Sequence, residues 1–248
     1  MTAPYTIIEI AETTSTNEHI RRLHRENPLP EGTTVSADFQ TKGRGQMGNS
    51  WESEPEKNLL FSILLFPTEV KINEQFVISQ LVAVSLQAAL ESYLTPITIK
   101  WPNDIYYGEQ KLAGILIEND LRGEKMLLSV VGIGVNVNQE RFYSDAPNPV
   151  SLLQLLGTEV DRRSLLTAFL AQLALNYALL NSGKVNDLAD RYHAVLFRGE
   201  GLHLFRDESG VFSAQIEKVD TAGFLHLVTD TRERRKYFFK EVSFVLDL

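Results

Sequence analysis

The sequence predicts an α+β fold, with one large domain of strands and helices followed by a small all-β unit. Three observations carry this expectation. Residues 58–66, 111–118 and 126–137 are short apolar stretches rich in Val, Ile and Leu, the pattern of strands buried in a sheet. Two longer stretches, opening near Asn73 and Ser164, repeat apolar residues at helical spacing. From about Gly201 the pattern changes to short strands parted by Ser-Gly and Thr-Ala-Gly turns.

Taken in order, the first expected element is a helix. Ser15-x-x-Glu18 has the form of a capping box leading into Ile20 and Leu23, and Asn27-Pro28 marks the end. β-branched residues and apolar alternation make 33–39 a strand, and a glycine-rich loop joins it to strand 58–66, closed by Pro67. Val77, Leu81, Val84 and Ala88 line the helix opened by Asn73, which Thr95-Pro96 ends. Strand 97–101 is cut by Pro102, and turns at 106–110 and 121–124 lead into 111–118 and 126–137, the centre of the sheet. A Pro/Asn loop at 144–149 precedes helix 164–181, for which Gly183 is the stop. Strands at 202–205, 211–219, 224–228 and 237–244 then form a small barrel, with the basic run at 232–236 as a solvated hairpin tip. The expected domains are 1–195 and 196–248.

Composition narrows the function. With 248 residues, 44% hydrophobic and 23% charged, the chain has an ordinary globular make-up and enough length for a full core. A formal net charge of −8 argues against a general nucleic-acid surface. No cysteine is present, which excludes thiolate metal sites, thiol nucleophiles and disulfides. The N-terminus lacks a basic segment followed by an apolar one, and no apolar run is expected to span a bilayer. A cytoplasmic protein is the expectation.

The chemistry concentrates in four polar clusters at the edges of apolar strands: 14–17, 40–51, 100–104 with Lys111, and 132–138. In the second, Gly43-Arg44-Gly45-Gln46-Met47-Gly48 and Trp51 combine permissive backbone, free amides and a guanidinium fork suited to phosphate or carboxylate. The letters also fit G-x-G-x-x-G, but a strand rather than a helix follows, which argues against a dinucleotide fold; the His-Arg-Asp and Asp-Phe-Gly segments of a kinase are missing too. Ser15 serves equally as a helix cap or, with Thr16 and Asn17, as a polar cradle for a small head group. Lys111 reads as a solvated strand start or a ligand cation, and Lys100-Trp101-Pro102-Asn103-Asp104 as a strand end or a reactive cluster. Glycines alternating with β-branched residues in Gly132-Ile133-Gly134-Val135-Asn136 point to close approach by a ligand or another backbone.

In order and spacing, Ser15-Thr16-Asn17, Gln40-x-x-Gly43-Arg44-Gly45-x-x-Gly48-x-x-Trp51, Lys100-Trp101-Pro102-Asn103-Asp104, Lys111-Leu112-Ala113-Gly114-Ile115-Leu116-Ile117-Glu118 and Gly132-Ile133-Gly134-Val135-Asn136 resemble the biotin protein ligases. The resemblance implies a class II synthetase-like fold (the biotin–lipoate ligase fold) with a mixed sheet and an SH3-like C-terminal barrel. It implies formation of biotinyl-5′-adenylate from biotin and MgATP with release of pyrophosphate, then transfer to a lysine of a biotin carboxyl carrier domain. Ser15, Thr16, Gln40 and less directly Asn17 would bind the ureido ring. Gly43, Arg44, Gly45, Gln46, Lys111 and Gly114 complete the implied biotin site. Arg44, Gln46, Trp51, Lys111 and Asn136 would hold the nucleotide, Arg44 at the phosphate and Trp51 and Asn136 at the adenine. Arg44, Lys100, Asp104 and Lys111 form the implied reactive centre, with Asp104 orienting or deprotonating the incoming amine. Many relatives carry a second loop arginine where this chain has Gln46, which implies weaker retention of the adenylate. With the Ser-Thr-Asn cluster beginning at residue 15, no N-terminal repressor domain, and so no DNA partner, is expected. A monomer or weak homodimer without membrane contact is the implied state. The basic run at 232–236 has a sharper reading as a contact for an acidic carrier surface. A lipoate or octanoate ligase of related fold, and an inactive nucleotide-binding regulator, are the rival functions.

Overall fold

The computed structural model describes residues 5–123, 125–144 and 148–246, with the backbone alone at Met47. The expected loop at 144–149 and turn at 121–124 thus lie partly outside the described residues. Strand β1 (Ile7–Thr13) comes first, ahead of helix α1 (Thr16–Glu26), and corrects the expectation of a leading helix. Then follow β2 (Thr34–Gln40), β3 (Leu59–Leu65), α2 (Phe76–Leu90), β4 (Ile97–Lys100), β5 (Asp104–Tyr107), β6 (Gln110–Arg122) and β7 (Lys125–Val135). The remainder comprises α3 (Leu152–Leu156), α4 (Arg162–Asn181), α5 (Val185–Ala194), β8 (His203–Asp207), β9 (Gly210–Val219), β10 (Leu225–Thr229), β11 (Arg234–Tyr237) and β12 (Ser243–Phe244).

The first seven strands make one mixed sheet in the order β1-β2-β3-β7-β6-β5-β4, parallel between β1 and β2 and antiparallel elsewhere. Its central strands are apolar on both faces because both faces are covered. Phe61, Ile63 and Leu65 of β3, with Val131, Ile133 and Val135 of β7, join the large core beneath α2, α4 and α5. Leu64, Val130 and Leu128 join a smaller core with Ile20 of α1 on the opposite face. This alternation leaves Ser62, Gly132 and Gly134 on the α1 side, where the cavity lies.

Helix α2 is buried around nearly its whole circumference, since α4, α5 and β4 pack against it; it starts at Phe76, beyond a separate 3₁₀ turn at Ile72–Glu74. Helix α4 is 20 residues long with a mean hydropathy of 1.3, enough by length and composition to cross a bilayer, contrary to the expectation that no run would be. Leu165, Phe169, Leu173 and Tyr177 are buried in the α2 core, which accounts for that composition.

The C-terminal strands form a second, antiparallel sheet in the order β11-β10-β9-β8-β12. Among the described residues no pairing joins β11 to β12, so the sheet is open there and the expected barrel is seen only as this five-stranded sheet. The basic run is a hairpin tip only in part: Arg232 and Glu233 lie in the exposed β10–β11 turn, whereas Arg234, Arg235 and Lys236 lie in β11 and pair with Glu217, Asp207 with Glu233, and Asp220. This sheet packs on the first through aromatic contacts of Phe239 with Phe76 and Trp101, and the Trp101 indole donates to Gly223 O at 3.0 Å.

Candidate active site

A cavity of about 750 Å³ opens on the α1 side of the sheet, within the range of small-molecule sites. Its floor is built from glycines. Gly114 pairs with Gly134 and Leu116 with Gly132 across β6 and β7. A Cβ on Gly134 would stand 2.4 Å from the Trp51 ring, and one on Gly132 2.4 Å from Asn17 Oδ1. The glycines therefore give two side chains from above direct access to the strand backbone.

One end of the cavity is the N-terminus of α1. The capping box does not form: Ser15 makes no side-chain cap bond, and Glu18 accepts instead from Thr14 Oγ1 at 3.1 Å. Ser15 is buried and lines the cavity, so its hydroxyl is not consumed by the helix end. Thr16 donates its backbone N–H to Gln40 Oε1 at 2.8 Å, which fixes the orientation of that amide. Ser62 Oγ donates to Asn17 Oδ1 at 2.6 Å and stands 2.7 Å from Thr16 Oγ1, while Asn17 Nδ2 donates to Glu118 Oε2 at 2.8 Å. Asn17 is thus held on both sides.

The other end is the glycine loop, a tight hairpin closed by Trp51 N–H to Gly43 O at 2.9 Å and Gly45 N–H to Asn49 O at 2.6 Å. Its 3₁₀ turn, Gln46–Gly48, carries Gln46 into the cavity lining. Arg44 reaches back along the rim and pairs with Glu118 at 3.3 Å and Glu18 at 3.7 Å. The Trp51 ring rests on the Gly114–Gly134 floor, its indole N–H buried without a hydrogen-bond partner among the described residues.

Between the ends stands Lys111, 2.8 Å from Asp104 and 5.7 Å from the Trp51 ring centroid. A short extended segment pairs beside Lys111: its N–H donates to Asn148 O at 2.7 Å and Val150 N–H donates to Lys111 O at 3.0 Å. Asn136 supports that segment by donating to Val150 O at 3.1 Å. Asn103 braces the β4–β5 turn through a hydrogen bond to Ile115 O, which sets the height of Asp104 above the floor.

Of the residues singled out in the sequence, Ser15, Thr16, Asn17, Gln40, Arg44, Gly45, Gln46, Trp51, Asp104, Lys111, Gly114 and Asn136 all line this cavity. Two stand outside the lining. Gly43 supports the loop, where a Cβ would lie 2.5 Å from Trp51 O. Lys100 turns away into an aromatic niche, donating to Tyr106 Oη at 3.0 Å with the Phe244 ring at 5.6 Å. Burial there pulls the Lys100 pKa below its usual value, against the opposing pull of Asp104, with Lys111 adding to the lowering. Sequence reasoning passed over Ser62, Glu52 and Lys240, all three beside or in the lining. Ser62 was legible as the one polar letter in an apolar strand; Lys240 comes from the second sheet and had no local signal.

The pattern that defines the biotin/lipoate A/B protein ligase family matches residues 9–136, more than half of the chain. The chain belongs to this family. Its matched part contains the α1 end, the glycine loop, the Lys111–Asp104 centre and the glycine floor. Among curated family relatives, the chain is 36% identical over 142 residues to the bifunctional ligase/repressor BirA of Bacillus subtilis, which covers 55% of this chain and 43% of that protein. It is 30% identical over 171 residues to the biotin–[acetyl-CoA-carboxylase] ligase of Mycobacterium tuberculosis, covering 66% and 61%. The match to the Bacillus protein therefore spans less than half of its length. The solved biotin protein ligase of Aquifex aeolicus, in complex with biotin and ATP, superposes with a TM-score of 0.77 at 27% identity, over 96% of this chain and 97% of that one.

Proposed function

We propose that this protein is an ATP-dependent ligase that joins biotin to a lysine of a biotin carboxyl carrier domain through biotinyl-5′-adenylate, releasing pyrophosphate. The observation that carries this reading is one cavity with a polar cradle at one end, an aromatic at the other and a lysine–aspartate pair between them. The superposable Aquifex ligase, in complex with biotin and ATP, supports it.

In this reading Ser15, Thr16 and Gln40 hold the ureido ring. A cradle of fixed donors and acceptors discriminates strongly against analogues that lack matching groups. Lys111 and Arg44 offset the repulsion between the biotin carboxylate and the α-phosphate. Arg44 must leave Glu118 and Glu18 to do so, and an arriving phosphate competes for it as a stronger anion. Asp104, 2.8 Å from Lys111, is released as a base once that lysine turns to the mixed anhydride, and then orients or deprotonates the acceptor amine. Trp51 offers a face to the adenine and Asn136 its amide. Magnesium enters with ATP as part of the substrate; among the described residues no group of three or more His, Asp or Glu is placed to hold a metal.

The domain boundary in this reading falls near residue 195, after α5, and the second sheet corresponds to an SH3-like appendage that brings Lys240 to the cavity. A cytoplasmic location and monomeric or weakly dimeric state belong to the same proposal. Transfer of lipoate is the alternative within the family; the polar cradle favours biotin, since an acyl tail needs only apolar walls.

Intact-mass spectrometry of a carrier domain incubated with the protein and MgATP tests the reading. One added biotin, no gain with lipoate, and loss of the gain in Lys111→Ala is the expected outcome. A gain with lipoate alone would move the substrate to the sister activity.

A further inference from the structure

Two walls of the cavity, distant in sequence, are joined by one carboxylate. Trp51 forms one wall at the end of the glycine loop, and Phe142 and Ser144 form part of the other, in the segment after β7. Glu52 lies between them. Its Oε1 accepts the Tyr143 amide at 2.8 Å and the Gln139 side-chain amide at 3.2 Å; its Oε2 accepts the Ser144 amide at 2.8 Å. Three donors converge on two oxygens, and two of the donors are successive backbone amides, an arrangement that holds anions. Burial raises the pKa of this carboxyl, but hydrogen bonds from Ser144, Tyr143 and Gln139 outweigh it and draw the group below its ordinary value.

The clasp has a fixed anchor. Gln139 is fully buried, and its Oε1 accepts from Asn58 Nδ2 at 2.6 Å and from the Glu54 amide at 3.1 Å. Its Nε2 donates to Arg141 O at 2.8 Å as well as to Glu52. By contrast, the Trp51 ring rests on the glycine floor, and among the described residues its indole has no hydrogen-bond partner, so its own side chain makes no polar tie to the opposite wall. Glu52, the next residue, does. The network at the α1 end shares no residue with this clasp.

We propose that Glu52 is a positioning residue which fixes the wall at 142–144 against Trp51 and so sets how tightly the cavity holds the nucleotide, leaving the biotin end unaffected. This rests on the ligase reading above. The carboxylate charge, taken up by the two amides and Gln139, is screened from the phosphates that a free carboxylate would repel.

Glu52→Gln is the test, because it keeps the shape but offers one acceptor to three donors and turns its own N–H₂ toward an N–H. Steady-state pyrophosphate release is read with ATP and biotin varied in turn, beside a thermal melt. The KM for ATP is expected to rise roughly tenfold, the size of one charge-assisted hydrogen bond, with the KM for biotin and the Tm nearly unchanged. Glu52→Asp, with the charge on a shorter arm, is expected between the two. An unchanged KM for ATP in Glu52→Gln overturns the inference, and so does an equal rise for both substrates with a lowered Tm, the mark of general fold support. A wild-type protein that releases no pyrophosphate with biotin would sink the ligase reading itself, and this inference with it.

Discussion

The two ends of the cavity are built on opposite principles. At the α1 end, Thr16, Asn17, Gln40, Ser62 and Glu118 bond to one another before any ligand arrives; Thr16, Asn17 and Ser62 are buried, and Gln40 and Glu118 are half-buried. At the loop end, the backbone hairpin is closed but the side chains make fewer polar ties: among the described residues Trp51 has no partner for its indole N–H, and Arg44, 41% exposed, reaches across to Glu18 and Glu118 of the α1 end. A saturated network supplies geometry at little reorganisation cost, which suits recognition of a small rigid head group. A loosely held loop can move over a reactive intermediate and exclude water. The division fits a ligand whose one end must be identified and whose other end must be enclosed.

Substitutions can break this contrast or sharpen it. The largest effect is expected from Asp104→Ala, at the junction of the two ends. Removing a positioned base should slow transfer of biotin from preformed adenylate by roughly 10²–10⁴-fold while leaving biotin affinity close to normal. Normal single-turnover transfer would remove Asp104 from the chemistry. Next comes Gly132→Ala at the saturated end, where the new methyl would stand 2.4 Å from Asn17 Oδ1. Asn17 is held by Ser62 and Glu118 and has no room to swing, so a loss of about 1–3 kcal/mol of stability is expected together with a raised KM for biotin. A melt and a biotin titration read both, and a neutral Gly132→Ala would show that the network is looser than its hydrogen bonds imply.

Trp51→Ala probes the open end in the same way and should behave differently. Loss of a stacking face worth roughly 1–3 kcal/mol should weaken ATP binding with little change in Tm, because the ring makes no hydrogen bond and lies outside the buried cores. A large drop in Tm would mean that the loop is held no more loosely than the α1 end. The smallest effect is expected from Gln46→Arg. One partly exposed added charge in the lining should lengthen the lifetime of bound adenylate roughly two- to fivefold, read by its release into solution. A shorter lifetime in the arginine variant would contradict the reading of Gln46 as the weaker holder.

Much of the site was legible before the fold was known, for a reason that lies in strand geometry. Alternation along 132–136 puts every second residue on one face, so glycines at 132 and 134 already implied close approach; Gly114, implied by the resemblance alone, proved to complete the floor opposite Gly134. Helix α1 was legible from Ser15 onward, although the capping box that suggested it does not form. Strand β1 was not: it is an edge strand whose Ile residues are interrupted by Glu9 and Glu12, and its parallel partners on β2 lie 27 residues on in register. Helix α5 was missed as well, having no strong stop or start signal in its polar sequence.

By itself the sequence determined which residue types line the cavity: a hydroxyl and amide cradle, one loop arginine, one lysine with one aspartate, and a floor without side chains. These follow from local order, since spacing along a strand or at a helix start dictates which residues share a face. Only the tertiary structure decided their pairings. It brought Glu118 across to Arg44 and Asn17, set Ser62 under Thr16, turned Lys100 into the aromatic niche and Lys111 toward Asp104, and left the second sheet open. Such choices depend on register between strands far apart in the chain, where one step exchanges the two faces.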